Sequence, residues 1–329
     1  MKQTIQLALA ITISASMHAQ KTSQKITYPQ TKKIEHLDTY FDTKINDPYR
    51  WLEDDKSAET ANWVSQQNKL TYSYLDKIPY RTAIKQRLEK LWNYEKISAP
   101  FIEGNFTYYY KNNGLQNQSV LYRKDTQGNE ELFIDPNGLS KDGTTSLGDV
   151  SFSKDGSLVA FAISEGGSDW RKVVVWNAIS KEVIGETLVD VKFSGIAWYK
   201  NEGFYYSSYD KPKGSELSAK TDQHKLYFHK LGTSQKEDKV IFGADTKRRY
   251  VNGSITDDER YLIISGANST TGNELYYKDL TQTNSQIIPL ISNFDSNNSI
   301  IENSGTKFYL ETNFKAPNNR VVTFDLAKA

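Results

Sequence analysis

Few side chains in this chain are of a type and spacing that could do chemistry. There are four histidines, His18, His36, His224 and His229, and no cysteine. Without cysteine, disulfides, zinc thiolate sites and thiol nucleophiles are excluded. His224 and His229 flank and occupy an alternating stretch. Five residues apart, they fall on opposite faces of a strand and make poor metal partners, so they read as solvated strand histidines. No HExxH pattern is present. A serine hydrolase needs a strained strand-to-helix turn of the form GxSxG. The nearest stretch, Gly143 to Gly148 (GTTSLG), has one residue too many and no helical pattern after it. Gly166-Gly167 joins strand to strand without the helix N-terminus that a phosphate cradle requires. The pairs Asp54-Asp55 and Asp257-Asp258 invite an acid-and-nucleophile reading. The second pair, however, lies in a hairpin turn, where acidic side chains satisfy backbone amides. Asn105, Asn117 and Asn268 match the glycosylation acceptor pattern, which would carry little weight in a bacterial protein. Residue chemistry alone therefore yields no catalytic constellation, no metal site and no cofactor.

The elements that would position any site are mostly strands. DVSFSKDGSLVAFAI (149 to 163) spells a hairpin, two alternating runs about an Asp-Gly turn, and KVVVWNA (172 to 178) supplies a third strand after the loop GGSDW. The unit recurs. Hairpin turns at Glu103-Gly104, Asp155-Gly156, Glu202-Gly203, Asp258-Glu259 and Ser304-Gly305 are separated by 52, 47, 56 and 46 residues, the period of a four-stranded propeller blade. Third strands align at 120 to 125, 173 to 178, 225 to 231, 274 to 280 and 320 to 326. Fourth strands follow the first four, at 131 to 135, 182 to 188, 239 to 243 and 286 to 291. No fourth strand follows the fifth before Ala329, so the chain reads as a fragment of a longer protein. The alternative is a five-bladed ring closed by an N-terminal strand, for which 27 to 28 or 39 to 41 would be short.

Ahead of the strands the periodicity is helical. Asn46-Asp47-Pro48 marks a turn, and Ser57 is placed to cap a helix whose first turn holds Glu59. Trp63, Leu70 and Tyr74 recur at helical spacing, and Ile84, Leu88 and Leu91 form one face of a second helix after Pro79. Two such helices need a partner surface. The fold class is thus mainly β, an incomplete β-propeller of about five blades preceded by a short helical segment. The expected domains are a signal peptide over 1–19, a helical segment over 20–97 and propeller blades over 98–329.

Composition narrows the partners. A formal net charge of +1 with interspersed signs gives no footprint for nucleic acid. Lys2 followed by an apolar run to about Met17 and then Ala19-Gln20 resembles a secretory signal cut after Ala19. No later stretch is apolar enough to cross a membrane, so a periplasmic or secreted protein is expected.

DPYRWLED (47 to 54), GGSDW (166 to 170), VKFSGIAW (191 to 198), HKLYFHKLGT (224 to 233) and ETNFKAPNNRVVTFDL (311 to 326) together resemble the prolyl oligopeptidase family of serine peptidases. The resemblance runs from about Tyr28 to the end. It implies a helical segment packed on an α/β-hydrolase domain and a seven-bladed propeller over the active site as a size filter. It also implies a Ser, Asp and His triad C-terminal to the propeller, and so outside these residues. The parent would then be a monomer that cleaves short proline-containing peptides, and this chain alone would be inactive. By the same resemblance Val175, Tyr250 and Thr270 match propeller positions that reach the substrate cavity. Val175 stands where an aromatic is expected, and Ala267 where an arginine often occurs. A self-standing secreted propeller that binds peptide or glycan without catalysis is the alternative.

Overall fold

The computed structural model describes residues 26–212 and 221–328. The expected signal peptide and its cleavage point lie outside the described residues. The chain divides into two compact units between Thr82 and Ala83. Among the described residues no helix is long and apolar enough to cross a membrane.

The first unit contains an element that the sequence did not announce. Leu37–Tyr40 pairs with Thr43–Asn46 in a two-stranded hairpin that joins no larger sheet. Its turn residues Phe41 and Asp42 both have positive φ, 47° and 64°, the geometry that matches strand twist but is normally reserved for Asn or Gly. The helix Ala58–Leu75 starts where expected, because the Ser57 hydroxyl accepts the Thr60 N–H at 3.1 Å. A second helix spans Arg81–Trp92. Its residues Ile84, Leu88, Leu91 and Trp92 are all exposed, an apolar face at the spacing of one helix side.

Five antiparallel sheets follow in chain order. The first holds Lys96–Ile97, Phe101–Glu103, Phe106–Asn112, Val120–Lys124 and Glu130–Ile134. The second holds Ser146–Phe152, Leu158–Ser164, Trp170–Asn177 and Val183–Lys192, and the third holds Ala197–Tyr199, Gly203–Ser208, Lys225–Lys230 and Lys239–Phe242. The fourth comprises Tyr250–Ile255, Tyr261–Ala267, Glu274–Asp279 and Ile288–Ile291, and the fifth comprises Asn298–Ser304, Lys307–Thr312 and Arg320–Asp325. These are five blades of a β-propeller. Four of the five third strands begin at the residue expected from alternation. The exception, in blade 2, begins at Trp170, three residues ahead of Val173.

The core sits between blades rather than within any one of them. In blade 2, Val159 and Phe161 pack with Tyr108, Leu121 and Phe133 of blade 1, while Ala160 and Ala162 pack with Trp198, Phe204 and Tyr206 of blade 3. Tyr205 turns the other way, to Val251, Leu262 and Ile264 of blade 4. Tyr261 and Ile263 in turn meet Phe308 and Leu310 of blade 5. Successive side chains on a strand point to opposite faces, so each second strand is apolar on both sides because each face belongs to a different neighbour.

At one end of the blades the turns between first and second strands are tied to one another. Ser153 and Thr256 occupy equivalent places, and each donates its hydroxyl to an Asp two residues on, Asp155 at 2.8 Å and Asp258 at 2.7 Å. Asn201 of blade 3 donates to Asp155 at 2.7 Å, the Lys200 N–H donates to Glu259 of blade 4 at 2.8 Å, and Asn303 of blade 5 donates to Asp258 at 2.8 Å. Burial would raise the Asp155 carboxyl, but hydrogen bonds from Ser157, Asn201 and Ser153 hold it well below the carboxylate range. Blades 1 and 2 meet instead through backbone. Gly156 has φ +70°, and a Cβ there would lie 2.3 Å from the Gly104 nitrogen. Gly156→Ala therefore combines left-handed strain with a blade-to-blade clash, and is expected to destabilise the blades by about 2 kcal/mol. A urea midpoint unchanged from the parent would refute that.

Candidate functional site

The opposite end of the blades carries the loops between second and third strands and the entries into the first strands. Tyr250 opens the first strand of blade 4, opposite Ala267. It is half-buried, its ring centroid 6.1 Å from Phe193, with the Arg249 guanidinium 5.7 Å from its ring. Phe193 follows the last strand of blade 2 with φ 52°. A bulky side chain in the left-handed region is strained by about 1–3 kcal/mol and persists only where its surroundings hold it. Here the Phe193 ring meets Tyr209 edge-on at 6.3 Å, and the Lys192 ammonium lies 5.2 Å from it. Lys192 also lies 4.8 Å from the Trp170 ring. Thr270 is exposed in the loop that joins Tyr261–Ala267 to Glu274–Asp279. The foot of that loop is fixed by Arg248, which holds Glu274 in a fork at 2.6 and 2.9 Å.

His224 stands directly behind this row and is not solvated. It is 0% exposed and stacks on Tyr209 at 4.3 Å. Its Nδ1 accepts the Val251 N–H of blade 4 at 2.8 Å, which leaves Nε2 to donate to the Lys192 carbonyl of blade 2 at 2.9 Å. One ring thus joins three consecutive blades. Burial pushes its pKa down to about 4, against smaller opposing effects of the two backbone contacts. His229 is buried too, at 2% exposure. Its Nδ1 is 2.9 Å from Asp238, which also accepts the Tyr206 hydroxyl at 2.9 Å. His224 is interior because blades 2 and 4 close over it, and His229 because Phe204 and Asp238 of its own blade do. Tyr209, its hydroxyl donating to the Arg249 carbonyl at 2.5 Å, is pushed up to about 12 by burial.

Of the residues singled out from the sequence, Tyr250 and Thr270 lie at this end of the blades. Val175 does not face a cavity. It is 1% exposed in the core between blades 2 and 3, paired with Ala160 and Ile184. At that position the strand's alternation points inward, so the side chain meets core atoms only. Ser146 of GTTSLG opens a strand rather than a strained turn into a helix. Asp258 is engaged by Thr256, Asn303 and the Arg260 N–H, which hold it below the carboxylate range against the effect of burial. Lys192, Phe193, Tyr209 and Arg249 were not picked out as site residues. The VKF of VKFSGIAW was the available signal, a lysine and an aromatic leaving a strand together.

The five blades define a β-propeller, and residues 29–329 match the family model for the prolyl oligopeptidase N-terminal β-propeller domain. The chain belongs to that family. It is 54% identical over 320 residues to a prolyl endopeptidase of Elizabethkingia miricola and 55% identical over 320 residues to one of Elizabethkingia meningoseptica, covering 97% of this chain in each case. It spans 45% of the length of each of those relatives. Among solved structures, prolyl oligopeptidase B from Galerina marginata, bound to a 35mer hydrolysis and macrocyclization substrate, matches with a TM-score of 0.77 and 28% identity. That match covers 92% of this chain and 46% of the other.

Proposed function

We propose that this chain is the propeller-bearing N-terminal part of a secreted or periplasmic serine endopeptidase that cleaves short peptides after proline. In this reading an α/β-hydrolase domain supplies the chemistry: a Ser attacks the carbonyl carbon of the proline, a His carries the proton, and an Asp orients the His. The propeller limits substrate size, and the complete protein works as a monomer. Tyr250 and Thr270 contact the peptide from the loop end of the blades. The observation that carries the reading is the match of nearly the whole chain, at 54% identity, to proline-specific endopeptidases. The 329 residues by themselves are expected to give no turnover of a proline-containing chromogenic peptide. Turnover blocked by a serine-directed phosphonate would sink the reading.

A further inference from the structure

We propose that Lys192 and Arg249, mounted on the aromatic row Trp170, Phe193 and Tyr250, form an anion subsite that binds a carboxylate carried by a peptide. The inference rests on the reading of this face as peptide-contacting, and it goes further by assigning the face a charge preference.

Several cations at this end already hold a carboxylate. Lys211 pairs with Asp190 at 2.8 Å, Lys225 with Asp210 at 2.7 Å, Lys247 with Asp222 at 2.8 Å and Arg248 with Glu274 at 2.6 Å. Lys192 and Arg249 pair with none among the described residues; what they have instead is ring faces. For Arg249, which is exposed, water is an adequate partner. Lys192 is buried along its stem, 7% exposed, with its ammonium against the Trp170 and Phe193 rings. An ammonium so placed has given up part of its hydration, and ring faces offset that only in part. The group that best relieves that cost is a carboxylate accepting charge-assisted hydrogen bonds.

The backbone that carries the two cations is also held in place before any ligand arrives. Lys192 is fixed by strand pairing to Trp170 and by the His224 ring on its carbonyl. Phe193 is held in a left-handed backbone between Lys192 and Tyr250. The Tyr209 hydroxyl pins the Arg249 carbonyl. Ring and cation therefore alternate along one row, Trp170, Lys192, Phe193, Tyr250, Arg249. Such a row offers stacking to a peptide's apolar groups and positive charge to an acid carried among them. A basic peptide would meet like charge there.

Calorimetric binding to the purified 329-residue chain tests this with four versions of one proline-containing pentapeptide, carrying Glu or Gln at the position before proline and a free or amidated C-terminus. At least one carboxylate is expected to bind about tenfold tighter than its neutral counterpart. The Glu and Gln pair reports an acidic side chain, and the free and amidated pair reports a terminal carboxylate. The preference is expected to weaken as salt rises from about 50 to 500 mM. Lys192→Met and Arg249→Met should each remove most of it and leave the affinity of the doubly neutral peptide unchanged. If Lys192→Met melts early, Arg249→Met, on an exposed side chain, decides alone. Equal affinities for all four peptides, no binding of any, or an undiminished preference in Arg249→Met overturns the inference. None of those outcomes bears on the endopeptidase reading, whose failure shows as phosphonate-sensitive turnover.

Discussion

Arg123→Ala is expected to destabilise the blades by about 3–5 kcal/mol, which would lower the melting temperature by roughly 10 °C. The side chain is 4% exposed in the third strand of blade 1, yet most of what it serves belongs to blade 2. Nη1 donates to the Ala178 carbonyl and Nη2 donates to the Ile179 carbonyl at 3.2 Å, while Nε donates to Glu131 at 2.6 Å. The guanidinium is also stacked, 4.1 Å from the Phe106 ring and 4.9 Å from Phe133. Truncation strands two carbonyls at about 1–3 kcal/mol each and leaves a hole beside the Tyr108, Phe133 and Phe152 rings. The ion pair itself is the smaller part. The Glu131 carboxylate is half exposed and is also held by Lys181 at 2.8 Å, so Glu131→Gln is expected to cost less than about 1 kcal/mol. Arg123→Lys keeps the charge but loses the planar fork and should fall between the two. Urea unfolding of the three variants separates these effects. Near-equal losses for Arg123→Ala and Glu131→Gln would mean that the pair, not the carbonyl caps, holds blades 1 and 2 together.

The same residue shows where reading the chain by pattern succeeds and where it stops. Alternation located the blades because a strand of period two, repeated every fifty residues, is written in many residues at once. An error at one position does not move the blade. Lys225–Lys230 and Glu274–Asp279 begin where their alternation begins for that reason. Arg123 and His224 are single polar residues whose burial depends on what lies across the next interface, and His229 depends on Asp238 of its own blade. The local sequence around HKLYFH is the same whether its histidines face water or the interior. Hydrogen bonds to backbone in other blades make burial tolerable, and no local pattern records such bonds. Val175 is a different case: the resemblance places it at a substrate-facing position, and in the structure it lies in the core shared with blade 3. The hairpin at Leu37–Tyr40 was missed because its turn uses Phe41 and Asp42 at positive φ, where the turn signals sought are Asn and Gly.

Acid should unfold this protein through His224 before it does so through the carboxylates. In the fold the ring stays neutral down to about pH 4, because burial disfavours its charged form. In the unfolded chain it takes up its proton near the ordinary value of about 6.5. Between those limits the unfolded state binds more protons than the folded state, so stability rises with pH. The contribution is complete above about pH 6.5 and is lost as the pH falls through the window, reaching about 3 kcal/mol near pH 4. Between pH 7 and pH 5 the loss from this one group is about 2 kcal/mol. Over that interval unfolded carboxylates, with ordinary values near 4, remain largely ionised and contribute little. His224→Gln offers the same pair of roles, an acceptor for the Val251 N–H and a donor for the Lys192 carbonyl, without a titrating group. The variant is expected to be less stable at pH 7, since the ring's stacking on Tyr209 is gone. It is also expected to lose about 2 kcal/mol less than the parent on going to pH 5. Urea unfolding at pH 7, 6 and 5 reads both quantities. Parallel pH dependences for the two proteins would show that the ring is protonated within the fold, and that the junction of blades 2, 3 and 4 does not depend on its neutral form.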